Sequence, residues 1–83
     1  MKQITLDGNI LADIAQLHDY IKEMLDFPEY YGKNLDALFD CLTDLDNVEI
    51  TIIAPEEDGA IFQKVLRVFK AANRENEGLK INF

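Results

Sequence analysis

Residues 28–43 read PEYYGKNLDALFDCLT and join a short aromatic loop to an amphipathic helix. Pro28 fixes φ and disfavours helical geometry at Phe27, so we expect the preceding helix to end there. Gly32 can adopt a positive φ at the far end of the loop. Asn34 is a typical N-cap, because its side-chain oxygen can accept from the first free N–H groups of a helix. This stretch therefore predicts a loop followed by a helix.

The predicted helix runs from about Leu35 to about Leu45. Its buried stripe has the spacing i, i+3, i+7, i+10 and consists of Leu35, Leu38, Leu42 and Leu45. At about 100° per residue, Cys41 lies on one margin of this stripe and Phe39 on the other. Beyond Phe39 comes a polar edge, in angular order Thr43, Asp36, Asp40 and Asp44.

Helix stability does not account for all three aspartates. Asp36 lies in the first turn, where the helix dipole favours an anion by roughly 0.3–1 kcal/mol. Asp40 is four residues from Asp36, and like charges at that spacing repel by a few tenths of a kcal/mol. Asp44 lies near the negative end of the dipole. These residues leave two interpretations open, a solvated acidic face or a surface that binds a cationic partner.

Length and composition predict one globular α/β domain over residues 1–83. The hydrophobic fraction is 48% and the charged fraction 29%, as in folded water-soluble proteins. No apolar run approaches the roughly 18 residues of a membrane span, and the first residues do not resemble a signal peptide. A single cysteine excludes an internal disulfide. We therefore expect a cytoplasmic protein with a small core.

The formal net charge of −8 is concentrated in the middle of the chain. Between Asn34 and Gln63 there are eight acidic residues and no Lys or Arg. Such a field repels nucleic acid and anionic membranes and attracts basic partners. With the aromatic loop beside it, this charge predicts a docking face for a positively charged protein.

Three β-rich runs are predicted as strands, at residues 2–6, 48–54 and 79–83, and a turn is predicted at Asp7-Gly8. Helices are predicted at residues 13–25, at residues 35–45 and after Pro55, with Gly78 as a C-terminal breaker. The resulting order β–α–α–β–α–β predicts a small parallel sheet packed by helices.

The first predicted helix opens with Asp13 and Gln16, which resemble a capping box. Its apolar face would comprise Ile14, Leu17, Ile21 and Met24. His18 lies on or beside this face, so we expect a packed, hydrogen-bonded histidine rather than a ligand. The apolar face of the last helix would comprise Ile61, Val65, Val68, Phe69 and Ala72.

The residue inventory argues against an enzyme. There is no serine, and His18 and Cys41 are the single histidine and cysteine, so a nucleophile with its base is not assembled convincingly. Neighbouring aspartates on an open helix have nothing to close around a substrate. Asp44-Leu45-Asp46 begins like a calcium loop, but Glu49 stands where glycine is required. We expect no catalytic residues, no metal and no cofactor.

The stretch resembles the signature of the barstar family, intracellular inhibitors of secreted guanyl-preferring ribonucleases of the barnase type. The matching residues are Pro28, Glu29, Tyr30, Tyr31, Gly32, Asn34, Leu35, Asp36, Ala37, Leu38, Asp40, Cys41, Leu42 and Thr43. A weaker resemblance continues along the whole chain. It implies a barstar-like fold with three parallel strands. The family's usual short helix before the last one is expected to be lost or cut to a turn, because this segment is reduced to residues 55–59.

The resemblance also implies a site and a partner, a basic extracellular-type ribonuclease. Asp40 would occupy the phosphate position, Asp36 would meet a second arginine, and Tyr30 would stack on a catalytic histidine. The implied partner-binding residues are Tyr30, Tyr31, Asn34, Leu35, Asp36, Phe39, Asp40, Thr43 and Asp44. The free protein is expected to be a monomer. The alternative is a barstar-like binding module for a different basic protein.

Four positions depart from the family pattern. Phe39 stands where a tryptophan is often found, Asp44-Leu45 stand in place of Gly-Trp, and Ala71 replaces a glutamate of the last helix. Loss of this acid should weaken binding to the usual nuclease. The added Asp44 either offsets that loss or indicates a different cognate enzyme.

Overall fold

A computed structural model describes all 83 residues. In chain order the elements are β1 (Lys2–Asp7), α1 (Gly8–Leu11), α2 (Leu17–Leu25), α3 (Leu35–Thr43), β2 (Val48–Ile53), α4 (Ala60–Glu75) and β3 (Leu79–Asn82). The predicted order β–α–α–β–α–β is confirmed, with the short α1 as an addition. None of the helices has the length and apolar character needed to cross a membrane.

The sheet has the order β1-β2-β3, and both strand pairs are parallel. The predicted α/β fold with a three-stranded parallel sheet is therefore confirmed. Burial alternates along every strand, and the inward residues are Ile4, Leu6, Val48, Ile50, Ile52, Leu79 and Ile81. Strands added in chain order through right-handed crossovers place their helices on one face of a sheet. The helices accordingly cover one face, and the other is open.

Polar side chains occupy the open face, with Glu49 at their centre. Its carboxylate accepts hydrogen bonds from Gln3 Nε2 at 3.1 Å and Asn82 Nδ2 at 2.8 Å, and it pairs with Lys80 Nζ at 3.6 Å. These bonds, that from Asn82 first, hold the pKa of the Glu49 carboxyl below its ordinary value. A hydrogen-bonded polar face replaces the second helical layer that parallel sheets usually have.

The core lies between the sheet and the helices and contains no buried charged or polar residue. Its largest fully buried side chains are Phe69, Leu6, Leu11, Ile21, Leu38, Leu42, Ile50 and Val65. No buried side-chain polar atom lacks a hydrogen-bond partner. No group in the core therefore needs a polar partner from α3, and the charged side chains of α3 are available for another role.

The first crossover differs from the prediction. Asp7 caps α1 by accepting from the Asn9 N–H at 2.9 Å, where only a turn was predicted. Gly8 is required there by close approach, because a Cβ atom would overlap the Ile53 carbonyl oxygen and the ring of Pro55. The turn chemistry at Asp7 was recognised from the sequence, but the helical turn that follows it was not.

Helix α2 begins at Leu17, four residues later than predicted. Asp13 accepts from the Ala15 N–H at 2.9 Å and from Gln16 Nε2 at 2.8 Å, so the pair builds a turn before the helix instead of a capping box. Ile14 is consequently 73% exposed, and Met24 is exposed as well. The prediction that these two residues belong to the buried face was wrong.

The predicted loop also differs in detail. Helix α2 ends before Phe27 as predicted, with its cap at Asp26 in the left-handed region. No glycine has a positive φ; at the far end of the loop Lys33, with φ 53°, adopts it instead of Gly32. Lys33 Nζ pairs with Asp19 Oδ1 at 2.8 Å, which ties this residue to α2. The contact is tertiary, so it was not visible from the local sequence.

No helix forms between β2 and α4, as predicted for residues 55–59. Along α4 the buried residues are Phe62, Val65, Phe69 and Ala72, while Ile61 and Val68 lie at the boundary. The helix ends at Glu75, and Gly78 has no positive φ, so it is not the predicted breaker. Gly78 permits a close approach instead, because a Cβ atom there would lie 2.6 Å from Asp46 Oδ1.

Candidate protein-binding site

Helix α3 is fixed at both ends and along its inner side. The Asn34 side chain accepts from the Ala37 N–H at 2.8 Å, which confirms the predicted N-cap. Leu38 and Leu42 are fully buried. At the other end, Asn76 Nδ2 donates to the carbonyl of Leu42 at 3.0 Å and also to that of Leu45. These contacts hold the outer face of α3 in one orientation.

The outer face carries Asp36, Asp40 and Asp44, which we call the carboxylate edge. All three residues are exposed, and none of their carboxylates accepts a hydrogen bond or forms an ion pair. Helical spacing separates successive members by about 5–6 Å and extends the edge over about 12 Å. Because Asp44 is the C-cap of α3, the helix itself ends at Thr43, two residues earlier than predicted. The edge is a row of unpaired hydrogen-bond acceptors.

The two tyrosines of the loop have opposite environments. Tyr31 is 4% exposed and packs at a tilt against Phe27, with ring centroids 5.1 Å apart. Its hydroxyl lies 2.6 Å from His18 Nδ1. Burial raises the pKa of Tyr31, so the phenol keeps its proton and the hydrogen bond with His18 is made by a neutral hydroxyl. This bond confirms the prediction of a packed, hydrogen-bonded His18.

Tyr30, by contrast, is 86% exposed. Its ring borders two adjoining shallow cavities of about 260 and 270 Å³ between the loop and α3, and Asp40 and Cys41 border both. Asp44 lines the first cavity only. The structure therefore brings Tyr30, Asp40 and Asp44 together, and Tyr31 holds the loop that presents them.

The other predicted residues have different places. Phe39 and Thr43 are half-buried on the margin of α3 away from this loop, and Thr43 Oγ1 donates to the Asp40 carbonyl at 2.9 Å. Asn34 is occupied with capping. Leu35 lines a separate groove of about 200 Å³ with residues of α2 and α4. None of these four residues lines the cavities beside Tyr30.

Seven residues that line the cavities were absent from the predicted site, namely Asp26, Phe27, Pro28, Gly32, Ala37, Cys41 and Leu45. Cys41 is half-buried, and burial, then the charges of Asp44 and Asp40, raises the pKa of its thiol. A neutral thiol is a small apolar surface and not a nucleophile. Its position on the helix margin opposite Phe39 was the signal that could have placed it in the site.

Comparison with known proteins agrees with this geometry. The family model described as Barstar (barnase inhibitor) matches residues 1–83. A Bacillus subtilis (strain 168) protein named "Putative ribonuclease inhibitor YrdF" is 40% identical over 81 residues, which covers 90% of this chain and 89% of the relative. The chain belongs to the barstar family.

Proposed function

We propose that this protein inhibits a ribonuclease of the barnase type by covering its active site. The observation that carries the proposal is the carboxylate edge, whose three exposed carboxylates have no partner within the chain. Two of its residues, Asp40 and Asp44, line a cavity together with the exposed Tyr30. The inhibitor name of the Bacillus subtilis relative supports the same function. No step of this function requires catalysis.

The mechanism is occupation of the site that the RNA phosphate would take. A ribonuclease of this kind holds cationic side chains and an imidazole around the scissile phosphate. Asp40, at the centre of the edge, presents a carboxylate that accepts charge-assisted hydrogen bonds from those cations in a desolvated pocket. Asp36 meets a second arginine, and Tyr30 stacks on the imidazole. RNA is then excluded from the nuclease by charge and by volume.

The rigidity of the site favours tight binding. Ordering loops and side chains on association reduces affinity, and a surface already fixed in its bound form avoids part of that cost. The N-cap at Asn34, the Tyr31–His18 bond and the Asn76 contacts fix the loop and α3 before any partner arrives. We further propose that the protein is a cytoplasmic monomer that protects the cell producing the nuclease.

A second candidate is a binding module for a different basic protein. The departures at Phe39, Leu45 and Ala71 favour it, because they change apolar and acidic groups around the edge. The carboxylate edge itself does not distinguish a nuclease from another cationic partner. The two candidates differ in one measurable property, which is inhibition of RNA cleavage.

Titration into a fluorogenic RNA-cleavage assay tests the proposal. We expect cleavage by at least one member of a panel of small basic ribonucleases to be abolished at a 1:1 molar ratio, and the protein alone to cleave nothing. Glu57→Ala, which removes an exposed charge outside α3, is the control and should inhibit equally. Undiminished cleavage across the panel at large excess would exclude the ribonuclease function and favour the second candidate.

A further inference from the structure

Helix α4 lies directly beside α3 and runs parallel to it. At the start of both helices, Leu35 shares a groove with Ile61 and Lys64. At the end of both helices, Asn76 bonds the carbonyls of Leu42 and Leu45. The surface that contains the carboxylate edge therefore continues onto α4.

The exposed side of α4 is basic. It carries Lys64, Arg67, Lys70 and Arg74, which are half of the Lys and Arg residues in the chain. At 100° per residue these four lie within an arc of about 120°, opposite the buried side of the helix. None of them forms an ion pair, because the three ion pairs of the structure use Lys22, Lys33 and Lys80. Like the carboxylates of α3, these cations have no oppositely charged partner within the chain.

Contacts on the two sides of α4 show which of these four cations lie near α3. Asn73 Oδ1 accepts from the Ile81 N–H at 3.1 Å, and Lys70 Nζ lies 5.1 Å from the centre of the Phe83 ring. That margin of α4 faces β3. Lys64 lies on the opposite margin, beside Leu35, with Arg67 next to it on the exposed face. We call Lys64 and Arg67 the basic margin.

A partner that binds α3 through a stable interface must also cover this margin, because α3 alone is too small for such an interface. A stable protein–protein interface buries about 800 Å² on each side. Helix α3 has nine residues and presents a strip about 14 Å long and 10 Å wide, far less than that area. Packed helix axes are about 8–10 Å apart, so a partner centred on Asp40 also covers part of α4. The basic margin would lie inside its footprint.

We infer that the basic margin is a specificity-determining part of the docking surface and that the cognate ribonuclease carries carboxylates opposite Lys64 and Arg67. The inference rests on the proposed function. A nuclease that is basic both in its active site and on this flank would be attracted by the carboxylate edge and repelled by the basic margin. Specific interfaces use such repulsion to reject wrong partners. The family glutamate replaced by Ala71 would suit a basic flank, and this chain lacks that acid beside Lys64 and Arg67.

Two charge reversals of equal size test the inference. One variant combines Lys64→Glu with Arg67→Glu; the control combines Lys2→Glu with Lys70→Glu, which lie on β1 and on the β3 side of α4. Each reversal lowers the charge by two, so both variants change the formal net charge from −8 to −12. All four residues are exposed, and circular dichroism melts verify that both variants fold.

A basic margin that contacts the partner and one that does not predict changes of opposite sign in the inhibition constant. If the basic margin does not touch the partner, a more acidic inhibitor attracts a basic nuclease more strongly, and both variants bind faster. Our inference predicts a rise of about tenfold in the inhibition constant of K64E/R67E against the nuclease that wild type inhibits best, with no such rise for the control. Equal or tighter inhibition by K64E/R67E would overturn it.

Two further results are distinguishable. Fluorescence anisotropy with a labelled RNA oligonucleotide tests whether the basic margin binds RNA instead; RNA binding that K64E/R67E abolishes, with an unchanged inhibition constant, would overturn the inference. Failure of wild type itself to inhibit any nuclease would exclude the proposed function and this inference together. A wild type that inhibits while the variant loses nothing would exclude the inference alone.

Discussion

Replacing Asp40 with alanine separates what α3 contributes to folding from what it contributes to binding. The Asp40 carboxylate has no hydrogen bond or ion pair, and Asp36 and Asp44 lie four residues to either side. Each like-charge pair at this spacing costs about 0.2–0.5 kcal/mol, and alanine has the better helix propensity. Asp40→Ala should therefore leave the free energy of unfolding unchanged or raise it by up to about 1 kcal/mol. In a domain of this size, 1 kcal/mol corresponds to a rise in Tm of about 4–8 °C.

The expected effect on binding has the opposite sign and is larger. In the complex, the cations of the nuclease active site would be buried and would lose their counter-charge. Removing one partner of a buried charge pair costs about 3–5 kcal/mol. The inhibition constant of Asp40→Ala should therefore rise by roughly 150-fold to 5,000-fold. A residue that stabilises the fold would not show this combination of changes.

Thermal melts and inhibition constants for Asp40→Ala, Asp36→Ala and the double mutant provide the measurement. Asp36→Ala should lose less binding and show a small loss of stability, because the first turn of α3 loses a carboxylate worth about 0.3–1 kcal/mol while the repulsion from Asp40 is relieved. Glu57→Ala should change neither quantity. A destabilised Asp40→Ala that still inhibits would refute the reasoning and make Asp40 a structural residue.

Three further predictions concern the cap, the charge and the loop. Asn34→Ala should lower the free energy of unfolding by about 1 kcal/mol in urea titrations, because the Ala37 N–H loses its acceptor; an unchanged midpoint would mean that water replaces the cap. The association rate with the nuclease, measured by stopped flow, should fall steeply as salt rises through about 0.1 M while dissociation changes much less; a salt-independent rate would make the acidic field ordinary surface charge. Burial, and secondarily Lys33, lowers the pKa of His18 below its ordinary 6.5 against an opposing effect of Asp19. The unfolded chain then binds the proton more tightly, so His18 should contribute full stability above pH 6.5 and lose it as the pH falls further. His18→Gln should flatten the difference between urea titrations at pH 7.5 and 5.5, and an unflattened difference would assign it to carboxylates.

The sequence was sufficient for α3 because its signals are local. The N-cap at Asn34 and the buried pair Leu38 and Leu42 need only the chain within one or two turns, and both have the predicted roles. The outer members of the predicted stripe, Leu35 and Leu45, are half-buried, and Leu45 lies beyond the end of α3. The strands were predicted for the same reason, that their signals are local. The short β-branched run that ends before Pro55, for example, is compatible with few structures other than a strand. Local patterns determine which residues form an element and which of its faces is apolar.

Errors arose where a side-chain turn or a distant contact, and not helical spacing, decides the conformation. Helical spacing placed Ile14 with Leu17, but the Asp13 turn holds Ile14 outside α2. Lys33 adopts the positive φ expected of Gly32 while its side chain pairs with Asp19. Nothing in the adjacent pair Tyr30-Tyr31 indicates which ring is buried, because the choice depends on Phe27 and His18 across the loop.

The positions at which this chain departs from its family indicate what its nuclease partner has in common with the nucleases that other family members bind. The carboxylates at Asp36 and Asp40 are kept, and these would meet the catalytic groups of the nuclease. The changes fall around them, at the half-buried Phe39, Leu45 and Ala71 and at the exposed Asp44. Catalytic groups cannot vary without loss of the enzyme's activity, whereas the surrounding surface can. An inhibitor that keeps the centre and changes the periphery therefore fits a nuclease of the same chemistry with a different outer surface, which is the partner that the basic margin also requires.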